Sequence, residues 1–136
     1  MAQINYLLDT NICIYIAKHN PPRVKQRFLE IEASELAMSA VTYGELCFGA
    51  EKCQNAAQTR QVIDRLAEVI QVEPLTSDVG FHYGEIRVQL QKAGAIIGNN
   101  DLWIAAHARA NGWTLVSNNL REFERVNGLS LENWAN

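Results

Sequence analysis

At 136 residues, 48% of them hydrophobic, the chain is long enough to bury a core and too apolar to be disordered. It holds no apolar run near the roughly 20 residues of a membrane span and no basic start with an apolar stretch, so a single cytoplasmic domain over 1–136 is expected. A net charge of −3 argues mildly against a nucleic-acid binder, whose footprint is normally basic.

Tyr6-Leu7-Leu8 is a short apolar run that suits a strand buried on both faces. It stops at Asp9, after which Thr10 or Asn11 can cap a helix through Ile12, Ile14, Tyr15 and Ile16. Pro21-Pro22 breaks that helix, and a second is expected from 22 or 23 to about 31. Its Arg23, Lys25 and Arg27 read as a solvated basic face. Leu36 to Ser39 reads as a second buried strand, followed by a helix over 41–52 that carries Glu45. Gly44 and Gly49 are unfavourable inside that helix by up to ~1 kcal/mol each, which suggests close packing against them.

A further amphipathic helix is expected over 56–71, with Val62, Leu66, Val69 and Ile70 inward. Residues 72–75 can add a strand limited to an edge by Pro74. Ser77 or Asp78 then caps a helix to about 93, and Gly94 ends it. Asn99 or Asn100 caps the next helix, 101–110, with Asp101 at its first position and an apolar surface nearly all round. Gly112 stops it, and 113–116 reads as the last inner strand, ending at Ser117-Asn118-Asn119 with Glu122 just beyond. Leu129, Leu131 and Trp134 can supply an edge strand and a closing turn.

Alternating strands and helices imply an α/β three-layer sandwich around a mainly parallel sheet of four or five strands. Right-handed crossovers then gather the strand ends at one edge. Asp9, Glu45, Asp101 and Glu122 each fall near that edge or at a helix start facing it. Each also has an ordinary reading, as a helix cap or a solvated acid. Close carboxylates repel, and a hard divalent cation reverses that; all-oxygen ligands suit Mg²⁺ or Mn²⁺ over zinc. With those four acids set aside, Lys and Arg exceed the remaining acids by one, so a filled site would lie in a neutral or mildly basic surface. Cys13, Cys47 and Cys53 lack Cys-x-x-Cys spacing, which speaks against zinc or a disulfide framework; Cys13 and Cys47 are expected in the core.

Several stretches together carry a family resemblance: Leu7-Leu8-Asp9-Thr10-Asn11; Ser39 to Leu46 with Gly49-Ala50; Ile97 to Ala108; and Leu115 to Asn119 with Arg121-Glu122-Phe123. They span nearly the whole chain, which resembles the PIN-domain ribonucleases of the VapC toxin family. The resemblance implies a metal-dependent endoribonuclease that cuts transfer RNA in the anticodon region and so inhibits translation. It also implies a cognate VapB-type antitoxin, a homodimer and a higher toxin–antitoxin complex. The family's acidic set carries over to Asp9, Glu45 and Asp101. Many members have Asp where Asn119 stands here, so either Glu122 takes the fourth place or Asn119 holds a metal-bound water. Thr10, Asn11 and Ser117 are candidates to orient the acids by hydrogen bonds, or simple caps.

Two other chemistries compete. Metal-free cleavage would need His19, His82 or His107; His107 lies on an apolar helix and reads as a core group. A non-catalytic module could bind a partner helix through Tyr15, Phe28, Phe48 and Trp103, although such residues are more often core. Phosphatase, receiver and Gly-rich phosphate-loop patterns are missing: Asn11 stands where a phosphatase wants a second Asp, and no Gly-x-x-x-x-Gly-Lys occurs.

Overall fold

The computed structural model describes residues 3–135. In chain order it runs β1 (Tyr6–Leu8), α1 (Thr10–Lys18), α2 (Pro22–Glu30), β2 (Leu36–Ser39), α3 (Ala40–Lys52), α4 (Ala56–Val69), β3 (Gln71–Glu73), α5 (Ser77–Lys92), α6 (Asn99–Asn111), β4 (Thr114–Val116), α7 (Leu120–Phe123) and β5 (Ser130–Glu132). The five strands form one sheet in the order β3-β2-β1-β4-β5, and every pairing is parallel. The expected α/β sandwich is therefore observed, with the sheet fully rather than mainly parallel.

The period of two along the strands divides the core. Leu7 pairs in register with Ala37 and Leu115, and all three face the layer of α5 and α6. Leu8 pairs with Val116, and with Leu36 and Met38 they face the layer of α1, α3 and α4. Strands this short stay in place because both faces are covered. Among the described residues no helix is long and apolar enough to cross a membrane.

Several local expectations need correction. Asp9 itself caps α1, accepting from Ile12 N at 3.0 Å, so the helix starts at Thr10 and neither Thr10 nor Asn11 is the cap. Thr76, not Ser77 or Asp78, caps α5. Gly98 occupies the cap position of α6 without a side-chain bond, and Asp101 is its third residue, not its first. In α4 the inward residues are Ile63 and Leu66, with Ile70 just past its end, while Val62 and Val69 are exposed. The stripe is rotated because the apolar run 62–63 admits two phases, and packing on the sheet selects Ile63. Gly44 and Gly49 have no close neighbour: a Cβ built on either meets nothing within 4 Å. Cys47 is only half-buried and Cys53 exposed; Cys13 is buried, and burial, with Asp9 nearby, pushes its thiol pKa up.

Candidate active site

Three strands end together at one edge of the sheet. Asp9 follows β1, Ser39 closes β2 and Ser117 follows β4, and all three side chains are buried. Backbone bonds lock the edge, with Asp9 N on Val116 O at 3.0 Å and Ser117 N on Glu132 O at 3.0 Å. The Ser117 hydroxyl donates to the Asp9 carboxylate and accepts from Asn119 N at 2.9 Å. Asp9 is thus held by a helix N–H and a serine hydroxyl, yet it is only 6% exposed. Burial outweighs both donors and, with the charge of Glu45, raises its pKa from 3.8 to about 6.

Asp101 in the first turn of α6 is displaced the same way, from 3.8 to about 6. Burial contributes most; the charges of Glu122, Glu45 and Asp9 follow, and a hydrogen bond with Glu122 favours the protonated form. Asp101 thus feels the charges of the other three sequence-predicted acids, and Asp9 that of Glu45. Glu122 reaches Asp101 because Phe123, 1% exposed, pins the short α7 into the core. Glu45 lies in the second turn of α3, and the Thr10 hydroxyl donates to its Oε1 at 2.5 Å.

Thr42 is a residue that motif reading passed over. Fully buried one turn before Glu45, it lies 3.3 Å from the Thr10 hydroxyl. Thr10 has one proton and gives it to Glu45, which leaves Thr42 to donate to Thr10. The available signal was its three-residue spacing from Glu45 on a helix. Asn11 turns elsewhere: it donates to Asn118 Oδ1 at 3.5 Å, and Asn118 donates to the Tyr15 hydroxyl at 2.9 Å. Asn119 precedes α7 without a side-chain cap bond, and its structural contact here is the backbone one to Ser117.

Among the described residues, none of the histidines hydrogen-bonds to the four acids. His107 Nδ1 lies 2.9 Å from Ser39 Oγ, in a setting whose burial lowers its pKa from 6.5 to about 4. His82 Nδ1 accepts from Arg109 Nε at 2.9 Å, and His19 is the exposed left-handed cap of α1. The aromatic groove imagined for a partner helix does not form as such. Trp103 stacks on Tyr83, Tyr15 packs inward, and Phe48 is 64% exposed on the outside of α3. An apolar groove of about 530 Å³ exists instead between α1, α3 and α4, lined by Ile14, Leu46, Gly49, Val62 and Leu66 among others, with Glu45 on its wall.

Residues 6–129 match the sequence model of the PIN domain. The chain belongs to the PIN-domain family. Within it the relatives are VapC proteins. Ribonuclease VapC2 of Haemophilus influenzae is 43% identical over 97% of this chain and 99% of its own. The tRNA(fMet)-specific endonuclease VapC of Shigella flexneri is 40% identical over 97% of this chain and 99% of its own. VapBC2 from Rickettsia felis, solved bound to a DNA fragment from its promoter, includes a chain of the same shape. Its TM-score is 0.89 at 38% identity, covering 96% of this chain and 99% of that one. The fold that carries the four acids is thus shared with VapC chains.

Whether a divalent cation fits can be tested on the donors. Among the described residues, no three His, Cys, Asp or Glu side chains form a ready-made metal cage. Mg²⁺ does not require one, since it keeps several waters and is held by one or two carboxylates. The donor set is all oxygen, and burial, with neighbouring negative charge second to it, raises the pKa of two of its members. That is the chemistry a hard dication relieves.

Proposed function

We propose that this chain is the toxin of a type II toxin–antitoxin pair, an Mg²⁺-dependent endoribonuclease that cuts transfer RNA in the anticodon region. The observation that carries the reading is the meeting at one sheet edge of Asp9, buried at the end of β1, with Glu45, which accepts from the adjacent Thr10, and with half-buried Asp101, which feels the charges of both and of Glu122. The named activity of the Shigella relative supports the substrate class.

Asp9 and Asp101 would hold the cation, with Glu45 and Glu122 completing the anionic wall and orienting the attacking water. A bound divalent cation supplies a water of lowered pKa and neutralises charge developing on the phosphate. Ser117 fixes the Asp9 carboxylate, and the Thr42–Thr10 pair fixes Glu45. Hydrogen bonds of this kind orient ligands and are worth roughly 10–100-fold when lost. Thr10→Val is therefore expected to lower kcat by about 10–100-fold, with unchanged circular dichroism.

The direct test is cleavage of total RNA with Mg²⁺ and with chelator, followed by end-group analysis. Metal-activated water leaves a 5′-phosphate and a 3′-hydroxyl, and chelator stops the reaction. A cyclic phosphate formed in chelator would overturn the reading and favour histidine chemistry.

The antitoxin of the VapB type is proposed to lay an apolar segment into the groove between α1, α3 and α4. Glu45 sits on the groove wall, so a basic side chain of that segment could reach the carboxylates and silence them.

A further inference from the structure

An RNA strand approaching four carboxylates needs cations nearby, and the formal charge of −3 does not supply them in bulk. Several guanidiniums are already committed. Arg27 pairs with Glu30 and Glu132, Arg60 with Asp64, and Arg109 with Glu85. Arg125 is directed at the carbonyls of Ala95 and Ile96.

Arg23, Arg65, Arg87 and Arg121 have no carboxylate partner among the described residues, and of these only Arg87, exposed on α5, is anchored on another side chain. Its Nη1 donates to the Tyr83 hydroxyl at 2.7 Å, which in turn donates to Asn99 Oδ1 at 2.5 Å. The Tyr83 ring is stacked on Trp103 with centroids 3.8 Å apart and planes 14° from parallel. A cation on a long side chain is thus anchored at one N–H, and its other donors stay available. The anchor is the first residue of α6, two before Asp101. Two residues correspond to roughly 200° of rotation and 3 Å of rise, so Asn99 and Asp101 occupy opposite sides of the same helix end.

We infer that Arg87 is a positioning residue for the RNA: it takes a backbone phosphate of the bound strand a helix width, ~10 Å, from the one being cut, across the end of α6 from Asp101. The inference rests on the ribonuclease reading for its substrate. Tyr83 and Asn99 hold the guanidinium in place, and the Trp103 stack holds Tyr83. A strand laid over the helix end meets Arg87 on one side and the acids on the other. Guanidinium suits the task because its planar fork matches phosphate oxygens.

The test compares Arg87→Gln with wild type in two assays. In cleavage with Mg²⁺, KM is expected to rise about five- to tenfold with kcat unchanged, and Arg87→Lys to recover much of the loss. In binding of a labelled single-stranded RNA, with Asp101→Asn in both proteins to stop cleavage, log Kd against log salt should flatten by about 0.7, the signature of one lost phosphate contact. Unchanged KM and unchanged salt slope would overturn the inference. So would a loss of kcat alone, or a fall in Tm that accounts for the whole effect. If wild type cleaves no RNA, the ribonuclease reading fails, while the binding slopes still decide the role of Arg87.

Discussion

Asp101→Asn is expected to lower RNA cleavage by roughly 10²–10⁴-fold, because a metal anchor contributes several kcal/mol to the transition state and each 1.36 kcal/mol is tenfold in rate. Asp9→Asn should act alike. The same change should make the metal-free protein more stable. Burial and three neighbouring acids raise the Asp101 pKa from 3.8 to about 6 in the folded chain. Between those values the folded state binds more protons than the unfolded one, so stability falls as pH rises through the window. At pH 7 the cost is fully present, and at pH below 4 it is gone.

Asn carries no charge and removes that cost. Discounted for partial exposure, the gain is about 1–2 kcal/mol at pH 7, a rise in Tm of roughly 5 °C in chelator. The gain should vanish as the pH falls towards 4. Thermal melts across that range check it, alongside cleavage at saturating Mg²⁺. An inactive variant that melts lower than wild type at pH 7 in chelator would mean that Asp101 is structural. Opposite effects on activity and stability are the mark of a site whose charges serve function at a cost to the fold.

The second large effect concerns the partner. Gly49→Trp is expected to leave the chain folded and its cleavage within a few-fold of wild type, yet weaken antitoxin binding by on the order of 10²-fold. Gly49 lines the apolar groove, and an added Cβ meets nothing within 4 Å. The helix even gains from losing a glycine, by up to ~1 kcal/mol. The indole then fills space that a docking segment needs, and hot-spot losses of 2 kcal/mol or more follow. Titration calorimetry with the co-purified antitoxin, after separation and refolding, gives the affinity. Affinity equal to wild type would place the antitoxin elsewhere.

The solvent opening at Gly49 shows the limit of reading a sequence. A glycine in a helix signals a special circumstance, and close packing was the natural one to expect. Which circumstance holds depends on what lies opposite, and that is tertiary.

The ends of the helices show the same limit. Asp9, Thr10 and Asn11 are all competent caps, and so are Ser77 and Asp78. The choice of Asp9 and Thr76 is made by where the chain leaves the preceding strand or turn. In α4 the apolar pair Val62-Ile63 permits two faces, and the sheet beneath it picks one.

What the residues determined alone was the alternation of short apolar strands with helices, and with it the α/β layering. They also placed each of Asp9, Glu45, Asp101 and Glu122 at a strand end or near a helix start. Local propensity and periodicity suffice for that, because they act over a few residues. The tertiary structure alone decided that Thr10 and Thr42 serve Glu45, that Ser117 serves Asp9, and that Asn11 serves neither. It also set the burial and, after it, the repulsion that raise two carboxyls to about 6. Hydrogen bonds and Coulomb interactions depend on distances of a few ångströms between segments over thirty residues apart, and no local pattern encodes those distances.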